Sequence, residues 1–380
     1  MDILSKKWHI LAIDDSKLNR SIIKRALSQL NMSVDEAEDG LDGLQALERV
    51  QYDLVLVDLV MPNLDGFGFL ARFKTFTGKK FIPVILITGM DDLNSKIKGL
   101  RIGADDFLMK PLNEKELVAR VLSLLRLKSA HDELFEKNEL IKRELETAKK
   151  VQEFIIPKDF SHVSYPKVSG RYLPTEDIGG DYFDCFSLPN ERYGFLIADV
   201  TGHGIPAALV MSMSRMIFSI YAPRASTTGE LLKIINSQMR GLLLDYQYIT
   251  CFYAIYNGNE RKVQISNAGH AMPLFYRAST KKVLALDTFG WFIGISDDVE
   301  YENKSVKVEE GDRLLLYTDG ITEIKNADKE DFGEKRLAAF IRENNNIKGE
   351  YFCEALLKEV NSFCPLEKRS DDIAFLNIEF

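Results

Sequence analysis

Three carboxylates, a threonine and a lysine in the first third of the chain stand where short apolar runs end. Asp14 and Asp15 close WHILAI, Asp58 ends DLVLVD, Thr88 ends FIPVILIT, and Lys110 follows ADDFLM just before Pro111. If each run is a strand of one parallel sheet, all five lie at carboxyl ends and converge on one rim, where such sheets bind ligands. Three carboxylates at one point repel one another unless a hard cation sits among them, and an all-oxygen set of this kind suits octahedral Mg²⁺. The chemistry this allows is phosphoryl transfer. Asp58 is the nucleophile, the cation neutralises the incoming group, and Thr88 and Lys110 hold its oxygens.

A second set of acids lies in the C-terminal half. Asp181 sits in GGDYFD, Asp199 in LIADVTGHG, Asp319 in LLLYTDGITE, and Asp371 with Asp372 in RSDDIAFL. Each stands at the edge of an apolar run beside glycine or polar turn residues, so the carboxylates can meet in a cleft while their strands stay buried. Acids separated by long stretches of sequence, with almost no basic partner, read as a binuclear metal site that activates water for attack on phosphorus.

The elements that must position these residues follow from periodicity. Residues 8–125 alternate β-branched runs with amphipathic segments near 16–30, 41–50, 64–76, 92–101 and from Asn113. Five such alternations imply an α/β doubly wound parallel sheet, because parallel neighbours need crossover helices. Residues 166–380 carry short alternating strands (KVSGRYL, DYFDCFSL, YGFLIAD, YITCFYAIY, KVQISNA, DRLLLYTD, DIAFLNI) around helices near 205–222, 228–243, 334–344 and 350–362. That pattern implies an α+β domain, a β-sandwich flanked by helices.

Between the two, Leu117 to Ile155 holds no Gly or Pro. Leu117, Arg120, Leu124, Leu127, His131, Leu134, Asn138, Ile141, Leu145, Ala148, Gln152 and Ile155 form a heptad seam. The last helix of the first domain is therefore expected to continue as a coiled-coil linker. The polar seam residues His131, Asn138 and Gln152 would fix register and favour a parallel homodimer. The alternative is a single helix lying on its own domains. Pro157 ends it. The expected domains are 1–125, a linker over 126–156, and 157–380.

Net charge is −8, so no large positive field is available for nucleic acid or an anionic membrane, and a transcription factor would need a basic recognition helix that is absent. The start, MDILSKKWHILAIDD, reads as neither leader nor span, and no other segment is expected to reach spanning length. Four cysteines, at 185, 251, 353 and 364, show no C-x-x-C spacing. Reduced thiols and a cytoplasmic location are expected.

DD at 14–15, DLVMPNLDG from 58, LITG from 86 and ADDFLMKP from 104 resemble the two-component response-regulator receiver family. That resemblance implies Asp58 as phosphoacceptor, Asp14, Asp15 and the Val60 carbonyl as Mg²⁺ ligands, Lys110 on the phosphate, Phe107 as the switch aromatic, and a cognate histidine kinase as partner. The C-terminal motifs, with ETAKKVQEFIIP before them, resemble the stress-response and sporulation branch of the metal-dependent (PP2C-like) protein phosphatases. By that resemblance two Mn²⁺ or Mg²⁺ ions are bound. Asp199 bridges them, Asp319 and Asp371 complete one site, and Asp181 with the Val200 carbonyl serves the other. Asp372 supports the ligands from behind, with room to exchange into the metal set. The substrate implied is a phosphorylated anti-anti-sigma (STAS-type) protein in a partner-switching pathway. The rival reading is a non-catalytic adaptor that only binds a sigma-factor regulator.

Two departures from the wider phosphatase family stand out. PTEDIGGD holds no Arg before Asp181, and Thr201 stands where eukaryotic members have His. His203 is read as structural, with a proton-donor role as the alternative, and NAGH at 267–270 fits the branch pattern without an assigned chemistry.

Overall fold

The computed structural model describes residues 6–76, 81–89 and 93–380, without the side chains of 74–76, 93–96 and 366. The first five residues of the N-terminal stretch and the start of the helix expected near 92 lie outside these. The chain divides into two compact units, Met1–Lys142 and Arg143–Phe380.

The first unit alternates strand and helix as its periodicity requires. Its elements are β1 (Trp8–Ile13), α1 (Lys17–Ser28), β2 (Met32–Ala37), α2 (Gly40–Arg49), β3 (Leu54–Asp58), α3 (Gly66–Phe76), β4 (Val84–Gly89), α4 (Leu93–Ile102), β5 (Asp106–Lys110) and α5 (Glu114–Ile155). The sheet order is β2-β1-β3-β4-β5, all parallel. In this order the chain reverses direction between β1 and β3, so the ligand crevice falls at the carboxyl ends of those two strands. Central β3 is buried along its whole length, which explains its unbroken LVLVD. Helix starts are capped by side chains: Ser16 accepts from Asn19 N–H at α1, and Asp39 from the amides of Leu41 and Asp42 at α2. Each such cap is worth about 1 kcal/mol.

Helix α5 is one continuous helix, and the boundary between units falls within it. Its seam residues have three different uses. Leu117 and Leu124 are buried in the first unit's own core, and His131 packs tilted against Phe81 with centroids 5.0 Å apart, beside the off-seam Lys128, whose Nζ donates to Phe81 O at 3.0 Å. Leu127, Leu134 and Ile141 are half exposed or more. Gln152 is buried in the second unit. Within the seam, the stretch from Leu127 to Ile141 presents an open apolar edge, and Val151 and Phe154 are exposed off the seam further along. A coiled-coil pairing along the seam would have to use the stretch from Leu127 to Ile141.

The second unit contains β6 (Lys167–Leu173), β7 (Tyr182–Leu188), β8 (Arg192–Val200), α6 (Gly204–Tyr221), α7 (Thr228–Arg240), β9 (Ile249–Asn257), β10 (Lys262–Ala268), β11 (Leu274–Arg277), β12 (Lys282–Ala285), β13 (Lys304–Lys307), β14 (Arg313–Tyr317), α8 (Asp319–Thr322), α9 (Gly333–Glu343), α10 (Gly349–Phe363) and β15 (Ile373–Glu379). The strands form two five-stranded antiparallel sheets, β13-β10-β9-β8-β7 and β12-β11-β14-β15-β6. One core cluster joins inward residues of both sheets, among them Phe195, Phe252, Phe275, Leu314 and Leu376, and extends to Val210, Met211, Leu231 and Ile235 of α6 and α7. A second packs β14 and β15 against α9 and α10 through Leu315, Phe375, Leu337 and Leu356. Full burial of each such side chain contributes about 1.5–3 kcal/mol. The four cysteines are free and buried, as their spacing implies.

No segment of spanning length is expected from the sequence, yet α6 reaches it by length and composition, with mean hydropathy 1.3 over 18 residues. Its apolarity has a source inside the fold. Ala207, Val210, Met211 and Phe218 enter the core beside the first sheet.

Candidate metal centres

In the first unit the five rim residues meet. Asp14, Asp58 and Thr88 are buried, Asp15 is exposed, and one ligand atom each from Asp14, Asp15 and Asp58 lies within 4.8 Å of the others. Lys110 Nζ reaches Asp58 Oδ2 at 2.8 Å and Asp14 Oδ2 at 3.1 Å. Asp14 is further fixed by the Ser16 amide at 2.8 Å and the Asn19 side chain at 3.0–3.1 Å. Burial raises the proton affinity of Asp58, and the Lys110 ammonium opposes it. Lys110 is itself held charged, its own desolvation outweighed by the two carboxylates. Val60 is exposed beside the pocket. Phe107 is half-buried on β5, with the Arg120 guanidinium 5.5 Å from its ring and Arg120 bound to Asp106. The Asp14–Asp15–Asp58 trio with one lysine fits a hard divalent ion: the lysine neutralises one charge of three, and the exposed Asp15 leaves an open ligand position.

The second centre draws on both sheets. Tyr182 pairs with Ala198 across β7 and β8, so the next antiparallel pair outward is Asp181 and Asp199. Asp319 follows β14 and opens α8, while Asp371 and Asp372 precede β15. Thr318 ties the last two loops together: its amide donates to Ala374 O, and its hydroxyl accepts from Ala374 N–H at 3.0 Å. An alanine at 320 would place Cβ 1.8 Å from Asp372 O, so only glycine lets these loops approach.

Each of these acids acts electrostatically on another. Burial pushes Asp181 well above the usual carboxylate range, and the neighbouring Asp199 adds to it. Asp199 is pushed up to about 7 by burial and then by Asp319. Asp319 is raised by burial and Asp371, and Asp371 by burial with Asp372 adding to it. Asp181 Oδ2 is buried with no hydrogen-bond partner. An orphaned carboxylate oxygen among carboxylates that raise one another's proton affinity has the chemistry of a cation site. Among the described residues, though, only Asp14, Asp15 and Asp58 bring three acidic ligand atoms within 4.8 Å of one another. The second set is not drawn to a single point in that way.

The remaining sequence candidates take definite places. Asp372 has both oxygens engaged by backbone amides, Oδ1 by Thr175 N–H at 2.7 Å and Oδ2 by Gly180 N–H at 3.0 Å. It thereby holds the loop leading to Asp181. Val200 is buried at the end of β8. Thr201 bonds Tyr248 O through its amide and, at 2.8 Å, its hydroxyl, so it pins the loop after Asp199. His203 is exposed, 3.1 Å from Glu176, and lines a cleft of about 320 Å³ with Asp371 and Asp372.

Sequence reasoning gave no role to His270 and placed Gln152 only in the seam. The His270 ring accepts from Thr250 Oγ1 at 2.8 Å through Nδ1 and donates to Tyr317 O at 3.2 Å through Nε2, bracing the strand end two residues before Asp319. Asn267 closes the NAGH turn on the His270 backbone in both directions. The Gln152 amide pairs with the Gly179 backbone. Its signal in sequence was a polar residue interrupting an apolar stripe.

The chain belongs to the Stage II sporulation protein E (SpoIIE) family, whose description matches residues 189–380. The response regulator receiver domain matches residues 10–122. The chain is thus a receiver domain joined to a SpoIIE, PP2C-type domain. It is similar to the phosphoserine phosphatase RsbU of Bacillus subtilis (strain 168), 30% identical over 185 residues, 49% of this chain and 55% of that one. Its first part is similar to a probable transcriptional regulator, ycf27, of Porphyridium aerugineum, 39% identical over 121 residues, 32% of this chain and 49% of that one. The chain spans about half the length of the curated relatives it matches. Among solved structures, the SiaA-PP2C domain of Pseudomonas aeruginosa shares the fold at TM-score 0.57 and 21% identity, over 64% of this chain and 98% of that domain.

Proposed function

We propose that the chain is a cytoplasmic response-regulator phosphatase. A cognate histidine kinase phosphorylates Asp58, and the phosphoryl state controls metal-dependent hydrolysis of phosphoserine or phosphothreonine on a partner protein. The observation that carries this reading is the meeting of Asp181, Asp199, Asp319 and Asp371 from two sheets, each with its proton affinity raised by burial and by other acids. An adaptor that only binds has no use for buried acids arranged against one another, since each costs stability.

In the receiver, over 1–125, the ionised Asp58 oxygen attacks phosphorus. A phosphorus–oxygen bond forms as the bond to the kinase histidine nitrogen breaks. Lys110 Nζ, already 2.8 Å from Asp58, holds the transferred oxygens with the Thr88 hydroxyl. Asp14, Asp15 and the Val60 carbonyl would hold Mg²⁺ there, and Phe107 would report the change. In the phosphatase domain, over 157–380, Asp199 would help hold two Mn²⁺ or Mg²⁺ ions. Asp319 and Asp371 would complete one position, and Asp181 with the Val200 carbonyl the other. Bound ions of this type supply activated water and polarise the phosphoryl oxygens. Asp372 keeps the Asp181 loop in place, and Thr201 the Asp199 loop. The helix over 126–156 would pair as a parallel coiled coil in a homodimer, using its exposed Leu127, Leu134 and Ile141.

Similarity to a phosphoserine phosphatase supports a phosphoserine protein as substrate, and the resemblance of the C-terminal motifs to the stress-response and sporulation branch makes a phosphorylated STAS-type anti-anti-sigma protein the candidate to test. The test is phosphate release by the full chain from such a protein and from a generic phosphoserine protein across a Mn²⁺ titration, with and without beryllofluoride. Release that requires metal and changes with beryllofluoride is expected. Absence of metal-dependent release from either substrate would hand the case to the adaptor reading.

A further inference from the structure

Gln152 lies near the end of α5, is 6% exposed, and uses both halves of its amide on one residue. Its Nε2 donates to Gly179 O at 2.6 Å, and its Oε1 accepts from Gly179 N–H at 3.2 Å. Burying an amide costs several kcal/mol unless it is bonded, so a position this deep would hold an apolar residue if packing were all it did. Gly179 has no room to be anything else: a Cβ there would stand 1.9 Å from Asp372 Oδ2 and 2.2 Å from Tyr172 Oη. The following amide, Gly180 N–H, is taken by Asp372, and the next residue is Asp181 with its orphaned buried oxygen. The approach to Asp181 is therefore gripped from two sides, by Asp372 from before β15 and by Gln152 from the helix. Ile156, one turn on, is buried in the core of the same unit and fixes the depth of that last turn.

We propose that Gln152 is a positioning residue for the Asp181 loop, through which the seat of the last turn of α5 sets the affinity of the second centre for its metal ions. The role rests on the metal-dependent phosphatase reading. A shift or rotation of that turn breaks two hydrogen bonds to Gly179 at once, and Asp181 is the first side chain able to move in response. Outer partners of metal ligands typically change affinity by about 10–100-fold when removed.

The test uses the full chain and Gln152→Met, which keeps the length and volume of the side chain but offers neither donor nor acceptor. Three measurements apply. Amide hydrogen exchange over 175–181 is followed in chelator, Mn²⁺ binding by calorimetry, and turnover of p-nitrophenyl phosphate against Mn²⁺ concentration. The variant is expected to exchange faster over 175–181 and to need about 10-fold or more Mn²⁺ for half-maximal rate, with kcat at saturating metal within a few-fold of wild type. Unchanged exchange and unchanged Mn²⁺ affinity in a folded variant would overturn the role while leaving the phosphatase reading in place. A wild type that neither binds Mn²⁺ nor turns over with it would remove the phosphatase reading and this role together. Should the variant fail to fold, exchange in the wild type decides: a Gly179 amide that exchanges as fast as those of Glu176 and Asp177 refutes the clamp.

Discussion

Acid should weaken the phosphatase unit through His270, in a window set by that one ring. The imidazole is buried, and burial lowers its pKa from 6.5 to about 4, against the opposing bond to Tyr317 O. Because the folded state disfavours the charged ring, its contribution is complete above pH 6.5. It falls as the unfolded chain takes up the proton and is gone near pH 4. At about 1.36 kcal/mol per pH unit the whole displacement is worth about 3.4 kcal/mol, of which about 2 kcal/mol is already lost at pH 5. For a unit of this size that is a fall of about 4–8 °C in Tm. Carboxylates titrate in the same range, so the assay is differential: scanning calorimetry of wild type and His270→Gln in chelator from pH 7.5 to 4.5. The variant should be less stable at pH 7.5, by about 1–3 kcal/mol for each buried bond it fails to replace, and the gap should narrow by about 2 kcal/mol by pH 5. A gap that stays constant across the range refutes the assignment of a buried, neutral ring.

Three further outcomes follow from the two centres and the helix. Asp58→Asn should abolish labelling by acetyl phosphate with an unchanged circular dichroism spectrum, and label found on any other residue contradicts the receiver assignment. Asp199→Asn should cut metal-dependent hydrolysis by several orders of magnitude. It should also raise the chelated unit's Tm above pH 7, because a carboxyl whose pKa is raised by burial stabilises only while protonated and loses that contribution as pH rises through its folded value; a lower Tm at pH 8 would count against it. Replacing Leu134, Ile141 and Leu145 with Ala should lower the mass in sedimentation without lowering the Tm of either unit, since Leu134 and Ile141 are 62% and 53% exposed in the single chain. A dimer that survives would mean that the seam is not what joins the chains.

The receiver half was legible almost element by element, because its strands and helices change period at nearly every boundary and its rim residues all sit at strand ends. The long strands of the sandwich were legible too. What escaped were β11, β12 and β13, with β12 and β13 at sheet edges. KVLA and KSVK are short, lysine-bearing and largely exposed, as edge strands that avoid further pairing tend to be, and such segments carry no alternation to read. The heptad seam is a different case. Its period is real, but Leu117, Leu124, His131 and Gln152 satisfy it against the chain's own two units. Periodicity reports that a face is covered, not what covers it. His270 was invisible for a related reason: its partners, Thr250 and Tyr317, are remote in sequence and meet it only once both sheets are in place.

The two acid pockets solve the same repulsion by different means, and the difference fits the tasks proposed for them. In the receiver, Lys110 is part of the pocket, bonded to Asp14 and Asp58, so the site is partly neutralised before any ion or phosphoryl group arrives. That partial neutralisation suits a switch. In the second centre the strongest charges acting on Asp181, Asp199 and Asp319 are other carboxylates. Without cations the site is held in place by groups that do not neutralise it, namely the Asp372 and Gln152 bonds to the Gly179–Gly180 backbone, the Thr318 tie and the Thr201 tie. Its cohesion is therefore supplied by the hydrogen bonds that tie its loops to one another. If the proposed metal loading holds, the geometry of the Asp181 loop is where a regulator would act with least effort, since the last turn of α5 already bonds that loop through Gln152.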